Sequence, residues 1–290
     1  MRRLLEILGK ALVQCLAFAG LALFVVAAVK LSGFADRVGS PFSAKQKDTP
    51  EELSEPEPVD NRQLVIIDPG HGGRDGGTIA GGALEKALNL DTAKRVARHL
   101  EAGGVRVAFT REDDSTLELN ERARMSNKTP AALFVSIHQN AVAANRAPNG
   151  IETYYTYPKP SSVMRAQRAL FDAKDGETFV DRRGEELARR IQQAACSATG
   201  ASDRGIKNRN FVVTRYVSAP AVLIECGFLS NPAENAKLRN ESYREKLSQG
   251  IAKGLLEYLN ERETDPMLGV SFPDRVVTSE LADIPVPAGG

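Results

Sequence analysis

The chain has 290 residues, enough for one large domain or two small ones. Its 38 basic and 37 acidic residues nearly cancel, which excludes a strong overall field and argues against nucleic acid as a partner. The hydrophobic content of 42% supports a packed core, whereas three cysteines are too few for a disulfide scaffold. We expect Cys196 and Cys226 to be buried thiols, with a disulfide between them as the open alternative.

Residues 1–34 have the features of a membrane anchor or signal segment. Three basic residues precede the apolar run 11–29, in which Gln14 is the one strongly polar residue. The 19 residues of this run would span roughly 28 Å as a helix, close to the thickness of a bilayer core. We expect an uncleaved anchor and a cell-envelope location, periplasmic or extracellular. A signal cleaved near Ala27 or Ala35 is the alternative.

Composition divides the rest of the chain into three parts. Residues 35–62 are rich in proline and acidic residues and poor in apolar ones, which predicts a disordered linker. Residues 263–290 predict a disordered tail for similar reasons. Between them, residues 63–262 carry the apolar patterns of a folded domain, which we expect to be monomeric.

Strand and helix patterns alternate along this domain. Six apolar segments predict strands: Leu64–Ile67, Val105–Phe109, Leu133–Ile137, Ile151–Tyr157, Phe211–Val213 and Ala221–Ile224. Three segments with apolar residues three or four apart predict helices: Leu90–Leu100, Leu187–Ala198 and Leu247–Leu259. The alternation predicts a three-layer α/β domain with a mostly parallel or mixed sheet and helices on both faces.

Polar side chains follow the three most continuously apolar strands. His71 lies in a glycine-rich segment after the first, His138 follows the second and Glu225 the third, while Glu85 lies just before a predicted helix. Ligands gather at the carboxyl ends of strands in open α/β sheets, so we expect these residues to lie close together. The remaining histidine, His99, lies off the apolar stripe of its helix, and we expect it to be structural.

The four residues fit a catalytic zinc site. Such a site takes three protein ligands and keeps a position open for water, and His71, Glu85 and His138 supply two imidazoles and a carboxylate. Glu225 would then remain as the general base. Each residue alone also has a structural explanation, such as a helix N-terminal acid for Glu85. The glycine-rich segment matches neither nucleotide-binding pattern, which argues against phosphate binding.

Four linked motifs resemble the zinc-dependent N-acetylmuramoyl-L-alanine amidases, the cell-wall amidases of type 3. They are DPGHGGRDGG at 68–77, LEK at 84–86 followed by Asn89-Leu90, SIHQN at 136–140 and PAVLIECGFLSNP at 220–232. The resemblance spans roughly residues 63–260. It implies one zinc ion held by His71, Glu85 and His138, a catalytic Glu225 and a six-stranded sheet.

The resemblance also implies a reaction, the hydrolysis in peptidoglycan of the amide between N-acetylmuramic acid and L-alanine, for wall remodelling or daughter-cell separation. Asn140 is a candidate substrate-binding residue, and for Asn231 we favour helix capping. Another zinc peptidase or deacetylase would have a similar site and is an alternative function. A non-catalytic peptidoglycan-binding module is a second alternative.

An insertion distinguishes this chain from simple members of the family. About 25 residues, 158–183, separate a predicted strand from a predicted helix, and their apolar residues predict a short amphipathic helix. In some relatives an inserted helix blocks the zinc until a partner protein removes it. We hypothesise that this segment gates or shapes the cleft, with a simple substrate-side loop as the alternative.

Overall fold

A computed structural model describes residues 62–129, 131–170 and 181–264. The predicted anchor 11–29 and almost all of the predicted linker and tail lie outside these residues. Within the described part, no helix combines the length and apolar character needed to cross a membrane.

A six-stranded mixed sheet forms the centre of the domain, in the order β4-β1-β5-β8-β6-β7. Strands β4, β1, β5 and β8 are parallel, β6 runs antiparallel to β8, and β7 is parallel to β6. The short strands β2 and β3 form a separate antiparallel hairpin. The strands are β1 Leu64–Pro69, β2 Ile79–Ala80, β3 Ala83–Leu84, β4 Arg106–Phe109, β5 Leu133–Asn140, β6 Ile151–Tyr155, β7 Asp203–Asn208 and β8 Ala221–Phe228.

Helices cover both faces of the sheet, which confirms the three-layer architecture. They are α1 Glu85–Ala102, α2 Leu119–Lys128, α3 Ser161–Leu170, α4 Arg183–Thr199, α5 Val212–Arg215, α6 Pro232–Arg239 and α7 Glu241–Thr264. The central strands are buried on both sides, and for this reason their sequences are continuously apolar.

Alternate residues of the central strands belong to two separate cores. In β1, Val65 and Ile67 pack in the larger core with α1, α4 and α7. Ile66, between them, packs in the smaller core with Ala123 of α2 and Val213 of α5. The period of two along each strand therefore directs side chains to opposite helical layers.

One predicted strand is wrong. Phe211–Val213 does not form a strand, because Val212–Arg215 is the short helix α5, whose Val213 packs in the smaller core. The sixth strand is instead Asp203–Asn208, a largely polar segment at the sheet edge. A short apolar run cannot by itself distinguish a strand from a buried helical turn, and an edge strand needs few apolar residues.

The inserted segment contains the predicted short helix, α3. Lys159 is buried, and its Nζ donates to the carbonyls of Val217 and Ala219, while Gln167 donates to Ser218. These carbonyls precede β8, so they lie at the amino edge of the parallel strands. The described part of the insertion therefore packs at the edge opposite to the strand ends that carry His138 and Glu225.

Candidate active site

The fold brings all four predicted site residues to the carboxyl edge of the parallel strands. β1, β5 and β8 are neighbours, and His138 on β5 is in register with Glu225 on β8. His71 follows β1, and Glu85, expected just before a helix, is the first residue of α1.

Two histidines and a glutamate converge at this edge. Glu85 Oε1 lies 3.0 Å from His71 Nε2 and 3.3 Å from His138 Nδ1. One potential ligand atom from each of the three residues lies within 4.8 Å of the others. Ligand atoms about 2.1 Å from a tetrahedral zinc are roughly 3.4 Å apart, so these residues fit a zinc ion in both chemistry and spacing.

Two glycines make room for the cluster. A Cβ on Gly70 would lie 2.2 Å from His138 Cε1, and a Cβ on Gly77 would lie 2.6 Å from Glu85 Oε2. Gly77 also has a φ of 62°, which favours glycine. The glycines of the motif therefore allow the backbone to pass directly beside the candidate ligands.

His71 is oriented by a second carboxylate. Its Nδ1 lies 2.7 Å from Asp75 Oδ2, and Asp75 Oδ1 accepts a hydrogen bond from the Gly77 backbone N–H. Carboxylates commonly hold the free ring nitrogen of metal-binding histidines in this way. The position of Asp75 four residues after His71 was visible in the sequence, but its role was not predicted.

A buried ion pair between Asp68 and Arg122 stabilises the backbone segment that contains His71. Arg122 Nη1 donates to Asp68 Oδ1 at 2.8 Å, and the two side chains are 3% and 0% exposed. Thr110 and Ser136 also donate to the Asp68 carboxylate. Arg122 Nη2 also donates a hydrogen bond to the carbonyl of His71, whose φ is 60°. Asp68 and Arg122 therefore hold an unusual backbone conformation at a candidate ligand.

The charges of the cluster are strongly coupled. Burial lowers the pKa of His71, but the hydrogen bond and charge of Glu85, together with those of Asp75, outweigh it and raise that pKa to about 9. Burial favours the neutral form of Glu85, but hydrogen bonds from His138 and His71 hold its pKa well below the usual range. The site thus keeps a buried carboxylate ionised between two imidazoles.

Glu225 has a different environment from Glu85. Its Oε2 is buried and has no hydrogen-bond partner among the described residues. Burial, followed by the negative charges of Glu85 and Glu152, raises its pKa well above the usual range. A carboxylate with a buried, unpaired oxygen beside residues that could hold a metal ion is suited to accept and return a proton.

Asn140 lies beside this site in a hydrogen-bond network centred on Glu152. Its Nδ2 donates to Glu152 Oε1 at 2.8 Å. Tyr154, Arg204 and Lys207 also donate to the Glu152 carboxylate, which is 3% exposed. The sequence did not reveal this network, because Glu152 occurs within an otherwise ordinary strand.

The other singled-out residues are structural. His99 Nε2 on α1 lies 2.7 Å from Glu245 Oε1 on α7, and both side chains are half-buried. The Asn231 side chain accepts hydrogen bonds from the backbone N–H groups of Ala233 and Glu234, which makes it the N-cap of α6. Cys196 and Cys226 are free thiols.

Fold and site together define a class of protein, an α/β domain in which two histidines and a carboxylate that could hold a metal ion lie beside a half-buried glutamate. Residues 65–257 match the Amidase_3 family model, described as N-acetylmuramoyl-L-alanine amidase. The chain belongs to this family, whose members are generally zinc-dependent.

Relatives and solved structures agree with this assignment. The chain is 36% identical over 196 residues to the N-acetylmuramoyl-L-alanine amidase LytC of Bacillus subtilis, covering 68% of this chain but 35% of LytC. An N-acetylmuramoyl-L-alanine amidase structure from Clostridium difficile 630 is 38% identical, with a TM-score of 0.60 over 69% of this chain and 98% of that one. The CwlD amidase of Clostridioides difficile, solved in complex with the GerS lipoprotein, is 29% identical with a TM-score of 0.59, over 69% of this chain and 100% of that chain.

Proposed function

We propose that residues 63–262 are a zinc-dependent amidase domain that hydrolyses the amide between N-acetylmuramic acid and L-alanine in peptidoglycan. The observation that carries this proposal is the convergence of His71, Glu85 and His138 beside the unpaired Glu225, in a chain of the amidase family. The first three residues would hold one zinc ion, and Glu225 would be the catalytic base.

The chemistry divides between the metal and the protein. When bound, zinc would polarise the scissile carbonyl and lower the pKa of water. Glu225 Oε2 would take a proton from the attacking water and return it to the departing amide nitrogen. Burial raises the pKa of Glu225, which makes its carboxylate a stronger proton acceptor than an exposed one.

We also propose a substrate contact for Asn140. Since its Nδ2 donates to Glu152, the side-chain amide is held in a fixed orientation. Its Oδ1 would then accept a hydrogen bond from an N–H group of the substrate. Glu152 would position Asn140, and through it the substrate, without contacting the reacting atoms.

The location of the protein is a further proposal. The apolar run 11–29 and its basic flank support an anchor with the amidase domain on the outer side of the membrane, where residues 35–62 give it reach toward the wall. The hypothesis of a gate at 158–183, relieved by an activator protein, gains no support from the described contacts of this insertion. Those contacts lie at the amino edge of the sheet.

Substituting His138→Ala is expected to lower zinc affinity by more than about 100-fold, because a lost ligand should cost more than the roughly 10- to 100-fold typical of a lost supporting residue. Zinc binding to the purified full chain, measured by competition with a chelator, tests this. His99→Ala is the matched control, since His99 pairs with Glu245 and not with the cluster. Equal zinc affinity in the two variants would refute the proposed ligand set.

A further inference from the structure

A cleft of about 670 Å³ lies between three segments that are close in sequence to the candidate site residues. One wall is the β2–β3 hairpin, with Ala80 and Gly81, and a second is the loop after β5, with Val142 and Arg146. The third wall is the end of β8 and the helix α6, including Arg239.

Each wall of the cleft contains a residue that is four or five positions from a candidate site residue in the sequence. Ala80 precedes Glu85 by five residues, Val142 follows His138 by four and Leu229 follows Glu225 by four. Four residues extend at most roughly 14 Å, so these parts of the walls lie within that distance of His138 and Glu225. The cleft is therefore within reach of a few residues of an extended ligand that occupies the active site.

Hydrogen bonds tie the walls together. Asn235 Nδ2 donates to the carbonyls of Ala80, at 2.8 Å, and Leu229, at 3.1 Å. Arg239 Nη1 donates to the carbonyl of Gly81 at 2.8 Å. Two residues of α6 thus hold the β2–β3 hairpin in place, and these hydrogen bonds fix the shape of the cleft.

The cleft is positively charged. Arg146 and Arg239 line it, and no aspartate or glutamate is among the described residues that do so. A guanidinium group offers five N–H donors in a planar arrangement that matches a carboxylate. The expected ligand group is therefore a carboxylate.

The glycan part and the peptide part of the substrate differ in charge. The N-acetylated sugar backbone carries no charge, whereas the stem peptide carries a carboxylate at its C-terminus and another on its second residue whenever that residue is not amidated. The carboxylate of the second residue is the nearer of these two to the scissile amide. We propose that this cleft binds the stem peptide, with Arg146 and Arg239 recognising the carboxylate of its second residue. The inference rests on the proposed amidase function and adds to it a preference for substrates that are not amidated.

The test uses two disaccharide–tetrapeptide muropeptides that differ only at the second residue, which bears either a free α-carboxylate or a carboxamide. The readout is the ratio of kcat/KM for the acid to kcat/KM for the amide. We expect a ratio of about ten for the wild type, the order expected from one additional charge-assisted hydrogen bond. For Arg146→Gln/Arg239→Gln the ratio should fall close to one.

Arg98→Gln is the matched control, because the Arg98 side chain is 60% exposed on α1 and faces Glu245. Its ratio should equal that of the wild type. A double variant that keeps the wild-type ratio, or a wild type that hydrolyses both substrates equally, would overturn the proposed carboxylate site while leaving the amidase function intact. A wild type that cleaves neither muropeptide at the lactyl–alanine amide would overturn both proposals.

Discussion

Glu225→Gln is expected to abolish most amide hydrolysis while leaving zinc content near that of the wild type. The amide of glutamine has nearly the same shape as the carboxylate but cannot take a proton from water. Loss of a general base typically costs about 10²- to 10⁴-fold in rate. Zinc binding should persist, because His71, Glu85 and His138 remain. Release of stem peptides from purified sacculi and metal analysis of the same protein sample measure the two quantities together.

The control for this variant is Glu257→Gln. Glu257 lies on α7, where it pairs with Lys253, and its side chain is 44% exposed. Its substitution should leave both activity and zinc content unchanged. Substantial activity in Glu225→Gln would show that another group accepts the proton and that the role assigned to Glu225 is wrong.

We expect Asp68→Asn to lower the free energy of unfolding substantially. Asp68→Asn removes the charge that Arg122 faces in the interior, where the two side chains are 0% and 3% exposed. Breaking a buried ion pair on one side leaves an uncompensated charge, which costs about 3–5 kcal/mol. Denaturant unfolding of the zinc-free protein should show this loss. Because Arg122 also donates to the carbonyl of His71, zinc affinity should fall as well.

A double-mutant cycle with Arg122→Met makes this prediction specific. The double variant removes both charges, so it should be destabilised by clearly less than the sum of the two single variants. The exposed pair Lys253–Glu257 provides the comparison, since Lys253→Gln should cost at most about 1 kcal/mol. Additive effects of Asp68→Asn and Arg122→Met would contradict a direct interaction between the two residues.

The candidate site was predictable because its residues stand at the ends of apolar strands. His138 and Glu225 directly follow such segments, and the parallel arrangement of β5 and β8 places them side by side. The glycines beside His71 are equally visible, and the structure gives two of them a steric reason. These features are local in sequence, so a pattern of residue types can reveal them.

The supporting interactions were not predictable, because they join distant residues. Asp68 and Arg122 are 54 positions apart in the sequence. Asn140 on β5 donates to Glu152 on β6, although β8 lies between these two strands in the sheet. The strand Asp203–Asn208 was not predicted either, because it also depends on an interaction with another part of the chain. It lies at the sheet edge and is held by pairing with β6, which its own polar sequence does not indicate.

The proposed function is tested most directly by the identity of the bond that the protein cleaves. Purified protein loaded with zinc would be incubated with sacculi, and the soluble products analysed by mass spectrometry. We expect intact stem peptides that begin with a free L-alanine amine, and glycan strands that keep their lactyl groups. Cleavage within the stem peptide, loss of acetyl groups from the glycan, or the absence of any soluble product would contradict the proposed function.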